Sequence, residues 1–314
     1  MILRSGLPTS KALHYNCVLE IEKLSSLLAD KRVTDVLFSS ARKTQIELSG
    51  KLIEVEDLFE DESQLRLWIQ GIISFCGGRL DLSQPLGEVS VSTEYGLLRI
   101  HAVLAGECSA NTQVSIRRHP KSSLSLQELY TANSLDENQL RQIHSILLNR
   151  ENFVIVGGTG SGKTTLLRAI LSEVSGERII TLEENFELAL RGNAVALKTR
   201  ESNHEGVGEI TLSILLRNAL RMRPDRIVIG EARGEELVLL LQSLNTGHTG
   251  AGFSLHANSY QEAFLRMVGI LNFAGVQNEL AKSLIANSIH WVIEVKREGS
   301  QRRVVAIERL KIEL

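Results

Sequence analysis

Gly157-Gly158-Thr159-Gly160-Ser161-Gly162-Lys163-Thr164-Thr165 limits what this chain can fold into more than any other stretch. It fits the pattern G-x-x-x-x-G-K-[ST]. The apolar run Phe153-Val154-Ile155-Val156 before it reads as a buried strand, and Leu166 to Leu171 after it reads as a helix. Strand, glycine-rich loop and helix are the setting the pattern requires. An isolated Gly/Ser/Thr turn could match by accident, but not with both flanks in place. In this setting backbone N–H groups converge and the helix N-terminus adds positive partial charge, which together receive phosphate. Lys163 then reaches the β- and γ-phosphates of a nucleoside triphosphate, and Thr164 can place its hydroxyl on Mg²⁺. Gly158, Thr159, Gly160, Ser161, Gly162 and Thr165 complete the cradle.

A length of 314 residues suggests two domains, and 43% apolar with 23% charged residues is normal for a globular chain with a real core. The net charge of −2 excludes a polybasic nucleic-acid binder as a whole. Met1 to Ser10 has no continuous apolar stretch, so it does not read as a secretory signal, and no apolar run reaches membrane-spanning length. Cys17, Cys76 and Cys108 form no C-x-x-C pair, which points to a reducing, cytoplasmic setting rather than to disulfides or zinc.

Along the first half, Val18, Ile21, Leu24, Leu27 and Leu28 are spaced for a helix. Hairpins are expected at 44–55 and 88–104, with a helical stripe from Leu65 to Cys76 between them. This half, residues 1–120, reads as a smaller α+β domain. A polar stretch around Lys121–Ser125 marks a linker, taken as 121–135. Residues 136–314 alternate strand and helix, the signature of a mostly parallel α/β sheet, with strands expected at 153–157, 178–182, 226–230 and 252–256. A last hairpin is expected around Arg297-Glu298-Gly299-Ser300.

Two expected strands end in acids. Ile179 to Leu182 runs into Glu183-Glu184-Asn185-Phe186-Glu187, and Arg226 to Ile229 runs through Gly230 into Glu231. Triphosphate hydrolysis needs a group that orients water and a group that holds Mg²⁺. Glu183 and Glu187 are candidates for the first task, and Glu231 for the second, directly or through water. His248 and His256 bracket a third strand, where an imidazole can sense the γ-phosphate. Arg217, Arg221, Arg223 and Arg226 crowd one segment, either as a solvated face or with one of them reaching phosphate or a neighbouring subunit. Arg99, Arg117 and Arg118 read only as charges on or beside strands.

In combination these boxes resemble the secretion ATPase superfamily of type II and type IV secretion and type IV pili. The resemblance rests on the phosphate loop, an acidic box at Thr181–Leu188, a Walker B stretch at Leu220–Glu235 and a histidine box at Asn245–Asn258. Val207 to Thr211, Arg217 to Arg226 and Leu255-His256-Ala257-Asn258 are most similar to the CpaF/Tad branch, which serves tight-adherence pili. The resemblance implies a RecA-like P-loop NTPase domain behind a smaller N-terminal α+β domain, with ATP and Mg²⁺ held between the domains. It further implies a homohexamer at the cytoplasmic face of the inner membrane, acting on a membrane platform protein, with no nucleic acid partner. By residue it implies Lys163, Glu183, Glu187, Glu231 and His256 in catalysis, with Glu187 the general base. His248, Arg99 and Arg117 would contact nucleotide. Glu184 departs from the aspartate usual at its position, lengthening that side chain by one methylene. The competing reading is a RecA-like nucleic-acid-translocating ATPase, opposed by the near-neutral charge and the 4% aromatic content. A GTPase is weaker still, since no N-K-x-D motif is present.

Overall fold

A computed structural model describes residues 21–119, 124–202, 206–299 and 301–311. Val18, Cys17, the first ten residues, residues 121–123 of the expected linker and Ser300 therefore lie outside the described residues. The chain divides into two compact units, residues up to 122 and from 123 onward.

The first unit is built on a six-stranded sheet in the order β3-β2-β1-β6-β5-β4. Its strands are β1 (Val33–Ser40), β2 (Lys43–Leu48), β3 (Lys51–Val55), β4 (Leu86–Thr93), β5 (Gly96–Val103) and β6 (Gln113–His119), all paired antiparallel. Alternating apolar residues such as Leu98, Ile100 and Ala102 turn to one face, where α1 (Glu22–Ala29) and α2 (Glu62–Phe75) contribute to the core. Asp61 starts α2 by accepting from the Gln64 N–H. Phe38 meets Phe59 and Trp68 edge-on in that core, and Phe59 and Trp68 are tilted to each other, with centroids 5.1–5.9 Å apart. The two hairpins fall where the sequence places them. Strand β6 was not anticipated, because its alternation is short and ends in Arg117-Arg118.

The second unit carries a seven-stranded sheet in the order β13-β12-β7-β11-β10-β8-β9. The strands are β7 (Phe153–Gly157), β8 (Ile179–Glu183), β9 (Ala194–Lys198), β10 (Arg226–Ile229), β11 (Gly252–His256), β12 (Trp291–Glu298) and β13 (Gln301–Arg309). All pairings are parallel except β12 with β13. β7, β8 and β10 are buried along their whole length, which is why they read as unbroken apolar runs. The helices are α3 (Leu126–Thr131), α4 (Glu137–Leu148), α5 (Lys163–Ser172), α6 (Leu212–Ala219), α7 (Glu236–Leu244), α8 (Tyr260–Phe273) and α9 (Asn278–Ser288). Two hydrophobic clusters fill this unit. Ser125 with Glu128 and Asp136 with Gln139 form reciprocal capping boxes that start α3 and α4. Helix α3 lies inside the stretch 121–135 expected as linker and buries Leu126 and Leu129 in the core of this unit. No helix among the described residues is long and apolar enough to cross a membrane.

Candidate active site

The loop after β7 leaves the carboxyl end of a strand flanked by β11 and β12, where open α/β sheets bind ligands. The first motif glycine is demanded by close approach. A Cβ on Gly157 would stand 2.3 Å from the Val295 carbonyl oxygen and 2.5 Å from Ser161 Oγ. Gly162 is demanded by backbone conformation, since its φ of 98° is one that side chains rarely adopt. As the N-cap of α5 it makes no side-chain bond to the first turn. The first N–H groups of that helix are thus left to an incoming anion. Lys163 is buried, and its Nζ donates to the carbonyls of Gly157 and Gly158 at 2.9 and 3.0 Å. Burial pulls its pKa down, with the Glu231 charge opposing. Ser161 Oγ is buried without a hydrogen-bond partner among the described residues. A glycine-shaped cradle, a buried ammonium and an unsatisfied hydroxyl together fit a nucleotide's phosphates. Thr164 is half-buried on the first turn of α5, and Thr165 is exposed.

Two neighbouring strands bring the other groups. His256 ends β11 in register with Gly157, and its Nε2 lies 2.7 Å from Thr159 Oγ1. Glu231 follows β10. Burial pushes its pKa up, but the Arg233 hydrogen bond and the charges of Arg233, Lys163 and His256 outweigh this and hold it below its ordinary value. Lys163, Glu231 and His256 thus share one electrostatic environment at the mouth of the phosphate loop.

Arg233 is the residue that sequence reasoning missed. Its Nη2 donates to Glu231 Oε2 at 2.8 Å, and its Nη1 reaches both oxygens of Glu184 at 3.2 and 3.4 Å. The backbone beneath it is fixed by buried Glu236, whose Oε1 accepts from the N–H groups of Arg233 and Gly234. The methylene by which Glu184 exceeds aspartate lengthens its reach toward that guanidinium, and this was the one available signal.

Glu183 turns out to be occupied. Its Oε2 accepts from the Glu187 and Leu188 N–H groups, each at 2.8 Å, and its Oε1 accepts from the Thr181 hydroxyl at 2.7 Å. Burial raises its pKa, and those three bonds pull the other way. It shapes the turn that carries half-buried Glu187.

The histidine box is split by strand direction. His248 stands in the loop that enters β11, and that loop lies at the amino end of the sheet. There Gly250 accepts from Arg226, the first residue of β10, and the Ala251 N–H donates to Asn152, which precedes β7. A strand of five residues separates this edge from the phosphate loop by roughly 15 Å. His248 therefore stands at the opposite end of β11 from the phosphate loop of its own protomer. The arginine cluster also resolves. Arg226 is 2% exposed, forks onto Glu177 with two 2.9 Å bonds and donates to the Leu147 carbonyl. Helix α6 ends at Ala219, so Arg221 lies past its end and bonds back to the Arg217 carbonyl. In the first unit, Arg99 on β5 pairs with Glu88 at 2.7 Å and Arg117 on β6 pairs with Asp35 at 2.8 Å.

A sheet with its phosphate loop after β7, an acid after β10 and a histidine after β11 defines a RecA-like P-loop NTPase fold, here following a smaller N-terminal α+β domain. Residues 96–298 match the family model described as Type II/IV secretion system protein, and the chain belongs to that family of secretion ATPases. It is 38% identical over 288 residues to a protein of Mycobacterium tuberculosis described as "putative conjugal transfer protein", covering 90% of this chain and 82% of that one. Among solved structures it is similar to the pilus retraction motor PilT with bound ADP, at a TM-score of 0.66 and 19% identity over 94% of this chain and 83% of that one. It is also similar to the ATPase DotB of Legionella pneumophila, at a TM-score of 0.64 and 20% identity over 99% and 84%. At those identities the two structures speak for the fold.

Proposed function

We propose that this ATPase is the motor of a tight-adherence (Flp-type) pilus, working as a homohexamer on the cytoplasmic face of the inner membrane and driving a platform protein there. The observation that carries the motor reading is the convergence of Lys163, Glu231 and His256 on the phosphate loop. Within the family, the runs Val207 to Thr211 and Arg217 to Arg226 support the tight-adherence branch. The substrate is ATP. Mg²⁺ would be held by Thr164 and, through water, by Glu231, and would supply neutralisation of phosphate charge.

On ATP binding, Lys163 exchanges the Gly157 and Gly158 carbonyls for phosphate oxygens. Glu231 exchanges part of its pairing with Arg233 for the site. Glu187 acts as general base toward water, with its backbone held by Glu183. His256 follows the γ-phosphate through Thr159. A conjugal-transfer machine is the second reading, favoured by the identity to the mycobacterial protein.

The test is steady-state ATP hydrolysis by the purified protein with and without DNA, beside Lys163→Ala and Glu231→Gln. Hydrolysis indifferent to DNA and abolished in both variants is expected. Turnover stimulated by DNA would overturn the reading in favour of a nucleic-acid motor. Deletion of the gene in its host, scored for piliation and for conjugation, separates the two machines.

A further inference from the structure

The C-terminal hairpin contributes a contact to the phosphate loop that no motif foretells. Strand β12 runs parallel beside β7, so the turn joining it to β13 stands at the same end of the sheet as the loop. Arg302, near the start of β13, donates from Nε to the Gly160 carbonyl at 2.9 Å. Its Cδ would lie 3.0 Å from a Cβ on Gly162, so the aliphatic stem runs along the second motif glycine. Arg297 is its cross-strand register partner, and its Nη1 lies 3.6 Å from where a Cβ on Gly160 would sit. Two guanidinium groups from one hairpin thus stand over the tip of the loop.

The described backbone has no cis bonds, and in a trans peptide the C=O and N–H point in opposite directions. The Gly160 carbonyl, held outward by Arg302, therefore turns the Ser161 N–H inward. There it leans on the Gly158 carbonyl at 3.4 Å, a long and weak bond that a phosphate oxygen can replace. Gly160, at a φ of 70°, is the kind of residue whose flanking peptides flip most readily, so an external hold on its carbonyl has something to oppose.

We propose that Arg302 is a positioning residue of the phosphate loop, fixing the Gly160–Ser161 peptide so that its N–H is aimed at a phosphate oxygen of the bound nucleotide. The inference rests on the loop being a nucleotide site, as proposed above. The hydrogen bond is made by a charged donor from an exposed side chain, so its loss leaves the core intact and acts on the loop.

The experiment compares wild type with Arg302→Ala, Arg302→Lys and Arg303→Ala. It measures ADP affinity by calorimetry, KM and kcat for ATP, and thermal unfolding without nucleotide. Arg303 is one residue along the strand and faces the other way, so it controls for net charge. Arg302→Ala should weaken ADP binding and raise KM by roughly 5–30-fold, with kcat at saturation and the unfolding midpoint little changed. Arg302→Lys should recover less than half of that loss, because an ammonium keeps the charge but not the planar donor. Where the alanine variant is unstable, Arg302→Gln replaces it and the same shift in affinity is expected. Unchanged affinity in Arg302→Ala, or an equal loss in Arg303→Ala, would overturn the role of Arg302 while leaving the nucleotide site standing. A wild-type chain that binds no ADP would overturn both.

Discussion

Gly157 and Gly158 are adjacent and chemically identical, yet the structure predicts opposite responses to alanine. At Gly157 the new Cβ would stand 2.3 Å from the Val295 carbonyl, 2.5 Å from Ser161 Oγ and 3.2 Å from Ser161 Cβ. The first of these is backbone in the neighbouring strand β12 and cannot rotate away. Relief requires β7 and β12 to part by about 1 Å at the point where the loop begins, against the close packing of a protein interior. Overpacking of this kind costs about 1–3 kcal/mol. For a unit of this size, that lowers the thermal midpoint by roughly 2–12 °C. At Gly158 the nearest atom to an added Cβ is Asn258 Oδ1 at 3.7 Å, an ordinary contact, and φ is not positive. Alanine there should be neutral, or stabilising by about 0.4–1 kcal/mol through the unfolded chain. The assay is thermal or urea unfolding of both variants without nucleotide. Equal midpoints for the two would refute the packing argument and leave the first motif glycine without a structural explanation.

Arg226→Ala should destabilise the second unit by about 1.5–3 kcal/mol, since it removes the buried guanidinium that forks onto Glu177 and leaves that carboxylate to Arg150; urea unfolding of the variant checks this, and a loss of activity without a loss of stability would restore a functional role to Arg226. In Arg233→Ala the Glu231 pKa should rise toward its ordinary value, because the strongest of the influences holding it down is gone. Glu231 then keeps its proton to higher pH, so the acid limb of the ATPase pH profile should move upward. A limb that stays in place or moves to lower pH would count against Glu231 as the ionised acid.

The legible part of this molecule is what burial writes into sequence. β7 and β10 carry apolar runs because both faces are covered, β11 is equally buried around Ser254, and the groups past their carboxyl ends, Lys163 beyond the loop, Glu231 and His256, could be located from those strands. β9 escaped notice because Ala194–Lys198 is an edge strand, half-exposed, with no apolar run or clean alternation. Arg226 reads no differently from its exposed neighbours, since a buried arginine shows itself only through a partner at Glu177, 49 residues away. The contact of Arg302 with Gly160 spans 142 residues and has no local signature at all. The resemblance places His248 and His256 in one histidine box, whereas β11 runs between them and sets them at its two ends. Glu183 illustrates the remaining limit: its three hydrogen bonds, with Thr181, Glu187 and Leu188, have no signature in the spacing of the acidic box.

The phosphate loop, Glu231 and His256 are proposed to form an ATP-hydrolysing centre whose output is movement of a secretion machine. Steady-state ATPase activity of the purified chain tests it most directly, measured with and without DNA and beside Lys163→Ala and Glu231→Gln. Hydrolysis is expected in the wild type, with no effect of DNA and a loss of turnover by at least roughly 100-fold in each variant. Stimulation by DNA, or a Glu231→Gln variant that turns over like the wild type, would contradict it.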